Sequence, residues 1–241
     1  CISSMGETGA PLDAHGEVVY PAIAWYDLRT QAQAEWVRAE IGARELYRLT
    51  GLPVSTSYGM LKLAWLRENQ PDAFRRIRRW LPIGDYVAYR LTGQQVTERT
   101  QAWRTMVYEL AAADWSASLL GALDFPGELL PEVLLSGTAI GPLLPEVARL
   151  TGLPPDCLAV TGGMDAVCAM VGVGALEPGA ALDIAGTSEI IITTLEQARA
   201  SDAMMAASLD VGPHPVDGRY LAFGSMTASG SIVDWAAGLL A

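Results

Sequence analysis

The stretch of residues 158–194 constrains the fold of this chain more than any other part of the sequence. It holds two short apolar runs of the kind that form buried strands, Leu158–Val160 and Ala181–Ala185, and each leads into glycine. The first continues as GGMD (162–165) and the second as GTS (186–188). Glycine permits positive φ and close backbone approach, and successive N–H groups in such turns form anion-binding concavities. The stretch therefore predicts two strand-to-turn units, one followed by an acid and one shaped like a phosphate nest, the combination that phosphoryl transfer uses.

Composition limits the partners that such a chain can have. Of 241 residues, 51% are apolar and 18% are charged, which is typical of a globular protein of one large or two smaller domains. The net charge of −11 argues against a nucleic-acid partner and gives no electrostatic reason to bind an anionic membrane. The expected partners are small molecules, and an anionic one would need local cations, metal ions or backbone N–H groups.

Residues with metal or redox chemistry are few. Three scattered cysteines cannot form a disulfide framework and favour a reducing setting, so we expect a cytoplasmic protein. Neither His15 nor His214 has metal-ligand spacing to a cysteine, so no metal site is predicted. The start of the chain lacks the pattern of a signal peptide, and the apolar region 166–185 is interrupted too often to span a membrane. The chain opens in strand-like sequence without methionine, and we expect it to be a fragment.

Apolar periodicities alternate between strand and helix along the chain, which indicates the α/β class. Residues 17–25 alternate like short strands after a hairpin turn at 13–16, and Asp27 is expected to cap the following helix. The letters RLTG occur at three places, ending in Gly51, Gly93 and Gly152, where a left-handed helix C-cap is expected each time.

Further elements are expected from the same patterns. We predict an amphipathic helix over 60–69, a strand over 104–110, strands over 206–211 and 219–223, and an apolar helix after Ser229. Residues 177–179 (EPG), between the two glycine turns, form the most natural domain boundary.

Asp165 is the strongest candidate for a catalytic residue. It follows a glycine pair at the start of an apolar helix, where the helix dipole favours negative charge. Aspartate is also a favoured N-cap residue, so the local sequence leaves catalyst and cap open. In the same way, Gly186 fits a phosphate nest or an ordinary turn, and the N-terminus of the helix that Gly230 opens fits a phosphate site or an ordinary helix start.

Other candidates have equally ordinary interpretations. Glu7 follows the first strand, where ligand-contacting residues often lie. Trp25 also fits the core and Asp27 a cap. Lys62 is the only lysine, and in isolation it is expected to face solvent. The arginine cluster of residues 75–79 suits a solvated helix face better than a phosphate site. No P-loop, dinucleotide fingerprint after a strand, or G-x-S-x-G elbow is present.

Five segments in chain order resemble one family, the FGGY carbohydrate kinases of the actin/hexokinase-like superfamily, whose members include xylulokinase, gluconokinase and glycerol kinase. The segments are SSMGETGAPLDAHGEVVYPAIAWYDLRT, SYGMLKLAWLREN, GDYVAYRLTGQQVTERTQAWRTMVYEL, TGGMDAVCAMVGVGALEPG and IAGTSEI. The resemblance covers essentially the whole chain. It implies a truncated actin/hexokinase-like (ribonuclease H-like) α/β fold, with residues 1–178 as a sugar-binding domain lacking its first strands and residues 179–241 as the beginning of the nucleotide-binding domain.

The resemblance also implies an activity, namely ATP-dependent phosphorylation of a sugar or polyol hydroxyl with ATP and Mg²⁺ as cofactors. Asp165 is implied as the general base. The residues implied to bind the substrate are Met5, Glu7, Trp25 and Asp165, and those implied to bind the nucleotide are Gly186, Thr187 and Gly230. No residue is assigned to a metal. The implied partners are a sugar or polyol and ATP, and a homodimer is one assembly that the resemblance allows.

Departures from the family pattern limit this reading. Gly6 stands where glycerol kinases have arginine and xylulokinases have histidine, so neither substrate is favoured. Gly84 replaces a lysine and Glu98 replaces an aspartate. The family's opening phosphate hairpin would precede Cys1 and the remaining nucleotide domain would follow Ala241. We therefore expect this chain, taken alone, to be catalytically inactive.

Two other classes of function explain the sequence less well than a kinase. A non-catalytic relative that binds a carbohydrate or a partner would have no need of Asp165. A purely structural interaction module would leave the glycine turns unexplained. The kinase is therefore the leading hypothesis.

Overall fold

The secondary structure is mixed, which confirms the α/β class. The computed structural model describes residues 1–186, 188–226 and 228–240. Its helices are α1 (Gln31–Trp36), α2 (Ala43–Thr50), α3 (Gly59–Asn69), α4 (Pro71–Phe74), α5 (Ile83–Thr92), α6 (Arg99–Trp103), α7 (Ala117–Leu123), α8 (Pro145–Thr151), α9 (Asp165–Gly172), α10 (Asp202–Ala206) and α11 (Gly230–Leu240). Its strands are β1 (Ser3–Ser4), β2 (Gly9–Leu12), β3 (Arg79–Pro82), β4 (Val96–Glu98), β5 (Tyr108–Glu109), β6 (Asp114–Trp115), β7 (Glu132–Leu134), β8 (Ala139–Pro142), β9 (Leu158–Val160), β10 (Gly163–Met164), β11 (Ala181–Ala185), β12 (Glu189–Leu195), β13 (Asp210–Pro213) and β14 (Tyr220–Met226).

Two short parallel pairs lie in the first part of the chain. Strand β1 pairs with β10 so that Ser4 is opposite Met164, and β4 pairs with β7. The approach of β1 to the end of β9 requires glycine, because a Cβ atom on Gly162 would lie 1.7 Å from the carbonyl oxygen of Ile2. Antiparallel pairs join β2 with β3, β5 with β6 and β8 with β9.

The second sheet is antiparallel, with strand order β11-β12-β14-β13. It begins at Ala181, two residues after the end of the EPG segment. The domain division at 178/179 stays a prediction. The hydrophobic core is continuous across that point, since Val211 and Phe223 belong to the same buried cluster as Trp80 and Trp103.

The three RLTG segments end helices as predicted. Gly51, Gly93 and Gly152 adopt φ of +69°, +76° and +73°, and the N–H of each closes the last turn of α2, α5 or α8. The cap prediction for Asp27 is also confirmed, because its carboxylate accepts a hydrogen bond from Arg29 N (3.0 Å) at a 3₁₀ turn, residues 28–30, that leads into α1.

Two predicted strands are wrong. Residues 17–25 form only an isolated bridge from Val18 to Leu12 after the hairpin turn, and Pro21 has no N–H with which to extend a ladder. In residues 104–110 only Tyr108–Glu109 is extended, because Met106 adopts φ of +81°. The alternation in these segments reflects burial of irregular backbone.

Two further predicted elements differ from expectation. Helix α3 is buried on most of its surface, so it is not amphipathic, and Lys62 within it is fully buried. Ala206 ends α10, and the strand predicted over 206–211 starts only at Asp210.

All three cysteines are free thiols. No helix in the described ranges has the length and apolar character needed to cross a bilayer.

Candidate functional site

Met5 and Asp165 leave the same edge of the first parallel pair. Strands β1 and β10 end at Ser4 and Met164, which lie opposite each other, so the next residues along both strands are neighbours. Asp165 is exposed and is the first residue of α9, while Met164 occupies the N-cap position without a side-chain cap bond. Asp165 is therefore not the N-cap residue of α9, although its Oδ1 accepts a hydrogen bond from Ala166 N (2.7 Å) in the first turn.

Helix α6 fixes both of these strand ends. Gln101 Nε2 donates to the carbonyl oxygen of Ser4 (3.1 Å), and Met164 N donates to Thr100 Oγ1 (2.9 Å). A Cβ atom on Gly163 would lie 2.9 Å from Thr100 Oγ1, so the glycine before Met164 is needed for this contact. The exposed carboxylate of Asp165 thus lies on backbone that hydrogen bonds to α6 hold in place.

Glu98, which replaces the family's aspartate, anchors α6 itself. Its buried carboxylate caps the helix, accepting from Thr100 N (2.8 Å) and Gln101 N (3.2 Å), and it also accepts from Ser136 Oγ (2.5 Å). Burial raises the pKa of Glu98 above its usual value, although these hydrogen bonds oppose the shift. The longer side chain therefore serves the framework beneath the site.

Glu7 occupies a strained turn. Its φ is +61°, and Thr8 N donates to the carbonyl oxygen of Gly6 (2.6 Å) across it, which is the bond of a γ-turn. Its carboxylate is 9% exposed and accepts from Arg104 Nε (2.7 Å). A Cβ atom on Gly6 would lie 2.7 Å from Arg104 Cγ. Position 6 is a glycine and supplies no cation. The guanidinium of Arg104, from another segment of the chain, lies beside Glu7 instead.

Arg104 joins Glu7 to the second sheet. Its Nη1 donates to Asp210 Oδ2 on β13 (2.6 Å), and its guanidinium lies 4.7 Å from the Trp103 ring and 5.7 Å from the Phe223 ring. Burial works to lower the pKa of Arg104, but the carboxylates of Glu7 and Asp210 outweigh it and the net shift is upward. Burial raises the pKa of Asp210 despite this partner.

Lys62 also contacts the turn at Glu7. Its Nζ donates to the carbonyl oxygen of Glu7 (2.9 Å), and the side chain is fully buried. Burial lowers the pKa of Lys62 to about 8, against the opposing effect of the Glu7 and Asp27 carboxylates.

Trp25 lies on the surface, 44% exposed, with its ring edge-to-face on Tyr26 at 5.4 Å. Two residues on, Asp27 pairs with Arg29 at 2.6 Å, and the Arg29 guanidinium stacks 4.8 Å above the Trp65 ring. The hydrogen bonds from Arg29 hold the pKa of Asp27 below its ordinary value. This ion pair fixes the segment that presents Trp25.

The predicted nucleotide residues lie together at a different place. Gly230 N, at the start of α11, donates to the carbonyl oxygen of Gly186 (3.0 Å). Gly186 is exposed, and the nearest atom to a Cβ built on it is Ser188 O at 3.6 Å, so there is room beside it, although its N–H already donates to Ser188 O (2.9 Å). Thr187 lies outside the described residues.

The two groups of predicted residues remain separate. Among the described residues, no hydrogen bond joins Gly186 or Gly230 to Met5, Trp25 or Asp165. Within the same ranges, no cluster of three histidine, cysteine or acidic side chains is arranged to hold a metal ion.

The arginine cluster of residues 75–79 does not form a phosphate site, since its members point to separate partners. Arg75 pairs with Asp72, and Arg79 donates to the carbonyl oxygens of Glu128 and Leu130.

Sequence reasoning missed three residues of this site. The sequence predicts no functional role for Arg104 or Asp210, and it predicts that the side chain of Lys62 faces solvent. The signals that could have found them are weak, namely that Lys62 is the only lysine and that Arg104 belongs to the AWRT letters of a family element. Asp210 carries no local signal, because only the packing of β13 against α6 brings it to Arg104.

Comparison with known proteins gives one family. Residues 1–172 match the sequence pattern of the family described as "FGGY family of carbohydrate kinases, N-terminal domain". An L-fuculokinase from Salmonella typhi is 32% identical over 191 residues, covering 79% of this chain and 40% of that protein. A xylulose kinase from Bacillus subtilis (strain 168) is 29% identical over 224 residues, covering 93% of this chain and 44% of that protein.

The solved structures agree. A xylulose kinase from Rhodospirillum rubrum superposes with a TM-score of 0.93 at 28% identity, covering 100% of this chain and 48% of that one. The truncated actin/hexokinase-like fold expected from the sequence is thereby confirmed. The chain spans less than half the length of these relatives.

Proposed function

The chain belongs to the FGGY family of carbohydrate kinases, and from this premise we propose that it forms the sugar-binding side of an ATP-dependent kinase for a sugar or polyol. The observation that carries the proposal is the position of Asp165. It is an exposed carboxylate at the first turn of α9, beside the end of β1, on backbone held by α6. An acid kept exposed at a rigid strand edge suits a proton acceptor better than a framework role.

In the proposed reaction, Asp165 accepts the proton of the sugar hydroxyl as that oxygen attacks the terminal phosphoryl group of ATP, whose bond to the β-phosphate oxygen breaks and releases ADP. The carboxylate lies in the first turn of α9, where the helix dipole favours a negative charge. Met5, Glu7 and Trp25 are proposed to position the sugar, with Glu7 fixed by Arg104 and Lys62. Correct positioning supplies much of the rate in such transfers.

The nucleotide is proposed to bind where Gly186 meets Gly230. The exposed surface at Gly186, which has room for a ligand, and the start of the eleven-residue helix α11 support this placement of a phosphate group. Thr187 stays part of this proposal. The described residues offer no ligand cluster for magnesium, so no step is assigned to that ion.

The test is turnover by the full-length protein that contains this segment. ADP release is measured with a panel of ketoses, aldonates and polyols, and then with Asp165→Asn on the best substrate. Losing the general base is expected to lower kcat by about 10²- to 10⁴-fold, with little change in nucleotide affinity.

The matched control is Asp156→Asn, the same chemical change at an exposed loop residue before β9, which should leave kcat unaltered. Near-normal turnover in Asp165→Asn would remove Asp165 from the role of base. Sugar binding without any ADP release from the parent protein would favour a non-catalytic carbohydrate-binding relative.

A further inference from the structure

The turn at Glu7 is an unusual backbone for its residue type. A φ of +61° is costly for a residue with a Cβ atom, and a γ-turn with positive φ at its centre is rare. Such strain persists only where the surroundings impose it, and it often marks a functional site.

Two buried cations impose it from opposite ends of the residue. Arg104 holds the carboxylate through Nε at 2.7 Å, and Lys62 holds the main-chain carbonyl oxygen through Nζ at 2.9 Å. The two bonds act on different atoms, so they have different consequences. The bond from Arg104 fixes where the side chain lies, whereas the bond from Lys62 fixes the plane of the peptide that follows Glu7 and hence the turn itself.

A buried ammonium is an expensive way to hold a carbonyl group. Lys62 is fully buried in α3, and its Nζ contacts a main-chain oxygen, while no carboxylate of the described residues forms an ion pair with it. A framework contact of this kind is met more cheaply by a neutral donor. Lys62 bonds to the turn that carries Glu7, one of the proposed sugar-binding residues. A role in sugar binding explains why such a costly contact is kept.

We propose that Lys62 is a positioning residue for the sugar: it locks the turn at Glu7 in its positive-φ conformation and so orients Met5 and Glu7 toward the substrate. The part of the inference that concerns the sugar rests on the proposed function. The part that concerns the turn rests only on the described contacts.

The turn is tested without any ligand by comparing Glu7→Gly with Glu7→Ala. Both variants lose the carboxylate and its bond to Arg104, but only alanine pays for positive φ, so the difference in melting temperature between them measures the strain. With Lys62 present, the glycine variant should melt higher. In a Lys62→Met background, where nothing holds the turn, the advantage of glycine should disappear or reverse, because glycine then only increases the entropy of the unfolded chain. An equal difference in both backgrounds would overturn the assignment of Lys62 as the lock.

The sugar is tested by affinity, with the best ligand from the substrate panel. Lys62→Met should weaken sugar binding about tenfold, the scale of one lost strain-holding contact. Leu63→Ala is the control, since it removes a buried side chain from the same helix without removing the bond to Glu7. It should lower the melting temperature yet leave the sugar Kd unchanged. Normal sugar affinity in Lys62→Met would reject the positioning role, whereas absence of sugar binding in the parent would reject the proposed function.

A pH series separates positioning from mere stability. The charged groups near Lys62 are the carboxylates of Glu7 and Asp27, each already paired with an arginine. Above pH 8 the native Lys62 loses its proton while the unfolded chain keeps it up to about 10.5, so the contribution of Lys62 to stability rises with pH.

Sugar affinity should move the other way, because a neutral amine donates a weaker hydrogen bond to Glu7. Between pH 7 and 9.5, the parent should lose sugar affinity relative to Lys62→Met while gaining melting temperature relative to it. Affinity and stability that change together would indicate a purely structural lysine.

Discussion

Asp85 is a carboxyl group placed where water cannot solvate its charge. It lies in α5 and accepts a hydrogen bond from Thr97 Oγ1 (2.5 Å). Burial raises its pKa well above the ordinary value, with the nearby Glu98 carboxylate adding to the shift. The native protein therefore keeps a proton on Asp85 at pH values where the unfolded chain has lost it, so this residue contributes less stability as pH rises.

Replacing this acid should change the pH dependence of stability in a defined direction. Asp85→Asn cannot ionise, so its melting temperature relative to the parent should increase from pH 4.5 to pH 7.5. Asp13 is the control, because backbone hydrogen bonds from Glu17 and His15 lower the pKa of its exposed carboxyl. Asp13→Asn should show no such increase over this range, because that carboxyl is already ionised in both the native and the unfolded chain. Parallel curves for Asp85→Asn and the parent would contradict the assigned direction.

At the scale of elements, one sequence signal has two different tertiary settings. Gly51 and Gly152 both end helices in the left-handed conformation after identical letters, RLT. Around Gly152 there is no atom within 4 Å of an added Cβ, whereas at Gly51 that atom would lie 2.0 Å from the carbonyl oxygen of Val211 on β13. The helix stop is local, but the tolerance of its glycine depends on the second sheet.

These two glycines provide a matched pair of substitutions. Gly152→Ala should cost about 1–2 kcal/mol of unfolding free energy, the strain of positive φ alone. Gly51→Ala should cost about 1–3 kcal/mol more, because β13 must move away from the end of α2. Chemical denaturation of both variants measures this, and equal losses would show that β13 does not pack against Gly51 as described.

At the scale of the whole molecule, Arg104 connects the beginning of the chain to its end. It binds Glu7 and Asp210, and all three side chains are nearly inaccessible to solvent. Such a triad is costly to break, because removing the cation leaves two carboxylates buried without compensation. The continuous core around Trp103 and Phe223 encloses it.

Arg104→Met should therefore destabilise the protein by about 3–5 kcal/mol. The comparison is Arg44→Met, which removes the Arg44–Asp202 pair, with side chains 79% and 70% exposed. That change should cost less than about 1 kcal/mol. Denaturant unfolding of both variants is the measurement, and a loss at Arg104 as small as that at Arg44 would mean that the triad is not desolvated.

Much of this molecule could be predicted from local sequence. The helix stops at Gly51, Gly93 and Gly152, the cap at Asp27 and the strand Ala181–Ala185 are short-range consequences of φ preference, hydrogen bonding and apolar pattern. The family followed from ordered motifs. These features need no knowledge of distant residues.

What only the tertiary structure decided is which charged groups are buried and with what they pair. Lys62 lies in the core because α3 crosses it, and Glu7 adopts a strained turn because cations from two other segments hold it. Asp210 meets Arg104 across 106 residues of sequence. Desolvation and long-range ion pairing depend on the packed environment and leave no local periodicity. The sequence therefore determined the family and most of the elements, and the packing determined the electrostatics of the site.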